Sequence, residues 1–264
     1  MKKFLVAMLL IAPTLLFGQS TLEGTWRTNM DQSKLSQKPY VFSLVGGMYE
    51  CSTCVPKINI KADGSDQPVT GQTYDTLSAR VDTPGTVTFT GKKDGKTVFE
   101  QTRAVSADGN SLNLKTTSYS KMNDKSVQTE VTFARLAQGP SGADPSSGSW
   151  KINKLKESDE GLTTTYKWSG DALNMTQPTG QSYTAKLDGK DYPYKGSYSF
   201  DSVSLKRVDD HTIEATNKRE GKVISVDTIS IASDGKTLTE VVNNKQTDRT
   251  STFVSEKQDY EAAK

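Results

Sequence analysis

Along most of this chain polar and apolar residues alternate with a period of two. In the stretch 126–135 one face carries Val127, Thr129, Val131, Phe133 and Arg135, and the other carries Ser126, Gln128, Glu130, Thr132 and Ala134. Such alternation describes a strand buried on one side, because successive side chains point to opposite faces. The same reading puts Leu77, Ala79 and Val81 on one face, and Leu112 with Leu114 on another. Turn signals separate the strands. Asp63-Gly64, Asp94-Gly95, Asp108-Gly109, Asp188-Gly189 and Asp234-Gly235 are Asp-Gly pairs, which suit two-residue hairpins whose central residues need positive φ. Thr83-Pro84-Gly85 and Pro178-Thr179-Gly180 mark further turns. The only helical candidate is a short stretch from Asp31 to Leu35. Short strands with regular turns predict an all-β chain built as an antiparallel meander, a barrel or a sandwich.

The pattern occurs twice. Asp188-Gly-Lys-Asp-Tyr-Pro-Tyr-Lys-Gly196 repeats Asp63-Gly-Ser-Asp-Gln-Pro-Val-Thr-Gly71, and Phe200-Asp-Ser-Val-Ser204 repeats Tyr74-Asp-Thr-Leu-Ser78. Gly24-Thr-Trp26 and Gly148-Ser-Trp150 open the two copies, and the offset between them drifts only from 124 to 126 residues. Two copies of one unit are therefore expected, 20–137 and 148–264, each of about eight strands. Between them, 138–147 is crowded with Pro, Gly and Ser and reads as a linker.

Composition adds the compartment. Lys2 and Lys3 precede an apolar run from Phe4 to Phe17, followed by Gly18-Gln19-Ser20. That is the outline of a secretory signal peptide, 1–18, and the run is too short for a span of about 20 residues. The expected mature protein is exported, periplasmic or extracellular, with no membrane span. Losing Lys2 and Lys3 reduces 33 Lys plus Arg to match the 31 Asp plus Glu. A net charge near zero favours neither nucleic acid nor an anionic membrane as partner. The clusters Lys92-Lys93 with Lys96, and Lys218-Arg219 with Lys222, recur beside hairpin turns and read as solvated tips.

With a Gly-x-Trp on its first strand and a meander behind it, each copy resembles the lipocalin-like (calycin) β-barrels. The resemblance implies that the tryptophan closes one end of the barrel and that an arginine near the end of the last strand packs across the indole. In the first copy Trp26 and Arg135 supply both parts; the second keeps Trp150 but aligns Ser255 with Arg135. The chain is also similar to exported bacterial two-repeat proteins with the same Asp-Gly-Lys-Asp-Tyr-Pro loop, a likeness that bears on fold and compartment. A barrel of this size holds side chains or one small ligand. Leu77, Phe89, Leu112, Leu114, Val131 and Phe133 are the first copy's candidate ligand-facing residues, with Val81 and Val87 also inward. Val203, Leu205, Ile213, Ile229 and Leu238 are inward in the second.

Reactive residues are few. Cys51 and Cys54 form the one cysteine pair, and in an oxidising compartment they are expected as a short disulfide loop. The competing reading is thiol–disulfide exchange, but the pair sits in β context without a βαβ pattern. His211, the single histidine, falls in a turn and has no nucleophile elbow to serve. The repeated loops offer Asp63 with Asp66 and Asp188 with Asp191, short of the six to eight oxygens calcium takes, and turn chemistry accounts for them. No catalytic residue, metal or cofactor is expected. The function expected from the sequence is non-enzymatic binding of a small apolar or amphipathic molecule. The alternatives are a ligand-free structural or interaction protein and a thiol-active protein.

Overall fold

A computed structural model describes residues 22–258. The expected signal peptide lies outside the described residues. The strands are β1 (Gly24–Lys34), β2 (Tyr40–Val45), β3 (Met48–Cys51), β4 (Ile58–Lys61), β5 (Gln67–Pro68), β6 (Thr76–Thr83), β7 (Thr86–Lys93), β8 (Lys96–Val105), β9 (Ser111–Tyr119) and β10 (Ser126–Gln138). They continue with β11 (Gly148–Glu157), the one-turn helix α1 (Asp159–Leu162), β12 (Thr163–Ser169), β13 (Ala172–Thr176), β14 (Ser182–Lys186) and β15 (Asp188–Lys195). The last are β16 (Ser202–Arg207), β17 (Thr212–Arg219), β18 (Lys222–Ile231), β19 (Thr237–Asn244) and β20 (Arg249–Lys257). All pairings are antiparallel, and the strands form two barrels of ten strands each rather than about eight. One source of the difference is the hairpin joining β2 to β3, which turns at Gly46-Gly47, both at positive φ, and not at an Asp-Gly pair.

The barrels do not follow the repeat boundaries. One nearly closed barrel runs in the order β4-β3-β2-β11-β10-β9-β8-β7-β6-β5, and the other closes as β1 followed by β12 to β20. Each Gly-x-Trp strand has thus crossed to the other copy. Trp26 pairs with Thr164 and Lys257, whereas Trp150 pairs with Arg135 and Tyr40. The first barrel is contiguous, from Tyr40 to Glu157; the second combines β1 with the chain from Thr163 onward. The units expected at 20–137 and 148–264 are corrected accordingly. The physical reason is that the two opening strands are alike and fit either slot, while strands adjacent in sequence tend to pair, which keeps β11 beside β10 across the connection 139–147.

Two other expectations change. Asp31 to Lys34 is not helical but the bulged end of β1, where the register against β20 shifts between Asn29 and Lys34. The segment 138–147 is not a spacer. Ser146 and Ser147 are 3% and 2% exposed. The Leu44 N–H donates to Ser147 Oγ at 2.8 Å, the Asp144 N–H donates to the Leu44 carbonyl at 2.9 Å, and the Asp144 carboxylate accepts from Gly85 N–H at 2.9 Å. Small hydroxyls and turn-forming residues here bond the backbone instead of leaving it to solvent.

That segment carries the barrel's end seal. Trp150 is fully buried and its indole N–H donates to the Ser146 carbonyl at 3.0 Å. The Arg135 guanidinium lies 3.9 Å from the indole centroid and donates to the carbonyls of Ser147 and Pro145, each at 2.7 Å, and to that of Gly109. Arg135 therefore seals against Trp150, not Trp26. In the second barrel Trp26, 1% exposed, donates to the Leu22 carbonyl at 2.9 Å and lies beneath Lys257, whose Nζ is 5.3 Å from the ring. Ser255 instead bonds Thr28 at 3.1 Å. The two cores are separate. Leu77, Ala79, Val87, Phe89, Leu112, Val131 and Phe133 belong to the first, and Leu173, Val203, Leu205, Ile213, Ile229 and Leu238 to the second.

Two measurements check this architecture. Arg135→Met keeps bulk but loses three hydrogen bonds and the cation–π contact, so it should lower the first barrel's stability by about 2–4 kcal/mol in urea unfolding. A fragment spanning residues 40–157 should fold alone, with dispersed amide resonances. A fragment of 20–137, lacking β11, should not; the reverse result would refute the strand exchange.

Candidate functional site

A half-open pocket of about 480 Å³ enters the first barrel. Beside it β8 carries a bulge: Gly91 pairs with Phe99 but Lys92 pairs with Thr97, so Val98 is the extra residue, as Ile224 is at the equivalent place in β18. Beyond it Phe99, Gln101 and Arg103 share one face and line the cavity. Gly91 is needed opposite, since a Cβ there would fall inside the Phe99 ring. Tyr49, Tyr74, Leu77 and Phe89 form the aromatic and apolar wall, and Thr116 and Ser118 on β9 add hydroxyls. Tyr49 stacks edge-on against Phe89 at 4.8 Å, and Tyr74 against Phe99 at 5.2 Å. Burial pushes the Tyr74 phenol up to about 12, so it remains a neutral hydroxyl.

Arg103 is a charged side chain within this aromatic wall, and Lys121 also lines the pocket. The Arg103 guanidinium carbon sits 4.5 Å from the Phe42 ring centroid, 4.4 Å from that of Phe89 and 5.5 Å from that of Tyr49. Nη1 donates to the Tyr49 hydroxyl at 2.9 Å and Nε donates to Gln101 Oε1 at 2.8 Å. Gln101 Nε2 in turn donates to Thr116 Oγ1 at 3.1 Å.

The second barrel completes the mouth. Its segments 179–181 and 196–200 border the cavity. Ser120 Oγ donates to the Thr179 carbonyl at 2.6 Å, Asn123 Nδ2 to the Pro178 carbonyl at 3.1 Å, and Arg219 to the Gly71 carbonyl at 2.9 Å. Gly196 lets the barrels come together here, since a Cβ at that position would meet Met122 Cγ of the first barrel at 2.7 Å. Gly196 has φ of 76°, and the same Cβ would meet the Gly180 carbonyl oxygen at 2.8 Å.

Six residues were singled out from the sequence as ligand-facing. Leu77 and Phe89 line the cavity, while Leu112, Val131 and Phe133 pack in the core and Leu114 packs against it. Val81 is 36% exposed. Tyr49, Tyr74, Phe99, Gln101, Arg103 and Thr116 were missed. The mixed alternation Phe99-x-Gln101-x-Arg103 was the available signal, although on a polar-rich strand it reads equally well as a solvated face.

Inside the second barrel the same positions have different chemistry. At the 126-residue offset Asp227 replaces Gln101, Ile229 replaces Arg103, Ser225 replaces Phe99 and Asn217 replaces Gly91. Asp227 Oδ2 accepts from Asn217 Nδ2 at 2.6 Å and from Ser225 Oγ at 3.2 Å, while Oδ1 is buried without a partner. Asp227 pairs with Val242, which puts Glu240 on the same face one step away. Burial pushes the Asp227 carboxyl up to about 6, against the hydrogen bonds from Ser225 and Asn217. Burial, with the Asp227 charge behind it, pushes Glu240 up to about 7. Tyr166, Tyr183 and Tyr194, packed in the same interior, are also raised by burial.

The remaining candidates are structural in their contacts. Cys51 and Cys54 are joined as a disulfide, Cys51 buried at the end of β3 and Cys54 beside the cavity. In the repeated loops Asp63 accepts from the Ser65 N–H at 2.9 Å, Asp66 pairs with Lys92 at 2.6 Å, and Asp191 pairs with Lys218 at 2.7 Å. The lysine clusters thus tie their hairpins to the loops in both copies. Asp75 caps the Asp94 N–H as Asp201 caps that of Glu220, fixing turns in which Asp94 and Glu220 have φ of 50° and 52°. His211 is exposed, its N–H donating to Asp209. Among the described residues no group of three or more His, Cys, Asp or Glu side chains could hold a metal ion. Comparison of the chain with family models, curated proteins and solved structures finds no match.

The buried carboxyls set a pH dependence. Folded values of about 6 and 7 lie above the ordinary 3.8 and 4.5. The fold therefore favours the protonated forms, and stability present at pH 4 is lost as pH rises through 7. Between pH 5 and pH 8 the second barrel should lose roughly 3 kcal/mol in denaturant melts. Glu240→Gln together with Asp227→Asn should flatten that slope.

Proposed function

We propose that this protein is an exported, non-enzymatic, lipocalin-like binding protein that holds a small amphipathic molecule in its first barrel. The observation that carries the reading is the aromatic-walled cavity of about 480 Å³, within the ~300–1,000 Å³ range of small-ligand sites. Its aromatic walls face empty space, and burying them against a ligand is favourable, at about 25 cal/mol per Å² of apolar surface. The polar set of Gln101, Arg103, Thr116 and Tyr49 stands at one part of this wall, which suits a molecule with one polar end. Export rests on the leader pattern of Lys2, Lys3 and the run from Phe4 to Phe17. The second barrel serves as the cavity's rim, so on this reading the duplication supplies a scaffold for one site.

The neutral fluorescent probe N-phenyl-1-naphthylamine should bind the intact protein saturably at one site. Ser118→Trp, which fills the cavity from β9, should weaken that binding about tenfold or more. Absence of saturable binding by the unmodified protein would sink the proposal, and undiminished binding by the Trp variant would move the site elsewhere.

A further inference from the structure

Building on that reading, we infer that the ligand's polar end is an anion of the carboxylate type, held by Arg103. The inference comes from counting donors and acceptors along the network. Arg103 gives one N–H to the Tyr49 hydroxyl and one to Gln101, and Gln101 gives one to Thr116. Each of these contacts uses an acceptor. Among the described residues no carboxylate lies within ion-pair distance of Arg103. A guanidinium has five N–H groups, of which two are engaged here, and it cannot be deprotonated. Tyr49 and Thr116, having accepted, each keep a hydroxyl proton to donate. The pocket therefore presents a fixed charge and two hydroxyl donors with no carboxylate paired to that charge; Lys121, the other cation of the lining, lies 5.5 Å from the Tyr198 ring on the second barrel's side.

A half-buried guanidinium set among three rings and without a counter-ion keeps donors free for an anion that enters the pocket. A carboxylate suits them, since it accepts the planar N–H edge of a guanidinium in a two-point contact. The second copy sharpens the assignment. At the corresponding positions it has Ile229 for Arg103, Asp227 for Gln101 and Glu240 for Leu114. An interior with two acids and no cation offers a carboxylate no counter-charge, so only the first copy is suited to this ligand.

Three amphiphiles with one alkyl tail and different heads separate the possibilities: laurate, lauryl alcohol and laurylamine, titrated calorimetrically into the intact protein at neutral pH, below their aggregation limits. Laurate should bind about tenfold or more tighter than the alcohol, with the amine weakest. Arg103→Met should bring laurate down to the level of the alcohol while leaving the alcohol's affinity within about threefold. Arg103→Lys, which keeps the charge but not the fork, should retain part of the preference. If laurate and alcohol bind the unmodified protein equally, the anion assignment fails while the cavity reading stands. If none of the three binds, both fail. A laurate preference that survives in a folded Arg103→Met protein would also overturn the assignment. Should that variant not fold, the head-group ranking in the unmodified protein and in Arg103→Lys decides alone.

Discussion

Everything in this structure hangs on the burial of one tryptophan at the end of each barrel. An antiparallel meander of short strands has two free edges, and a barrel removes them only if its first and last strands meet. In the second barrel Trp26 lies between Thr164 on β12 and Lys257 on β20. In the first, Trp150 pairs with Arg135 on β10 and Tyr40 on β2, which joins the first and last strands in chain order and leaves β4 and β5 as the edges of a nearly closed barrel. The indole fills the barrel end, its N–H is bonded to a backbone carbonyl, and a cation covers its face. The bonds made by Arg135 also fold the connecting segment down onto the core, which leaves no loose tether between β10 and β11.

With closure provided in this way, the side chains inside each barrel were free to diverge. Turns, hairpin ties and tryptophan seals recur in both copies: the Asp66–Lys92 and Asp191–Lys218 pairs occupy equivalent places, as do the caps from Asp75 and Asp201. The interiors do not recur. Where one copy sets Phe99 against Gly91 and leaves space for a guanidinium, the other fills the same volume with Asn217, Ser225 and Asp227 bonded to one another. Small differences on two strands turn one interior into a cavity and the other into a buried acidic network.

The all-β class, the duplication and the turn positions were legible in the sequence, because period-two alternation and Asp-Gly pairs report local geometry. So were the buried roles of Leu77, Val87, Phe89, Val203 and Leu205. The exchange of opening strands was not legible: both strands carry Gly-x-Trp, and nothing local to either distinguishes the two slots. For the same reason Arg135 was matched with the tryptophan of its own copy rather than with Trp150. Arg103 escaped notice because a cation on a strand usually points to water. Only the bulge at Val98, a feature of pairing with β7, turns that face inward. The segment 138–147 has a linker's composition, yet its Asp and Ser side chains bond it to β2 and to Gly85.

The crossed strands also have a mechanical consequence. Because β1 and β20 are antiparallel neighbours in the second barrel, the two ends of the described chain emerge side by side at Trp26 and Lys257. A pulling force applied there loads that seam like a zipper, one hydrogen bond at a time. The first barrel is attached through Tyr40 and Glu157 and lies outside the load path until β1 has peeled away. The cavity-bearing barrel is thus shielded from tension by its own duplicate, which is the part that yields first.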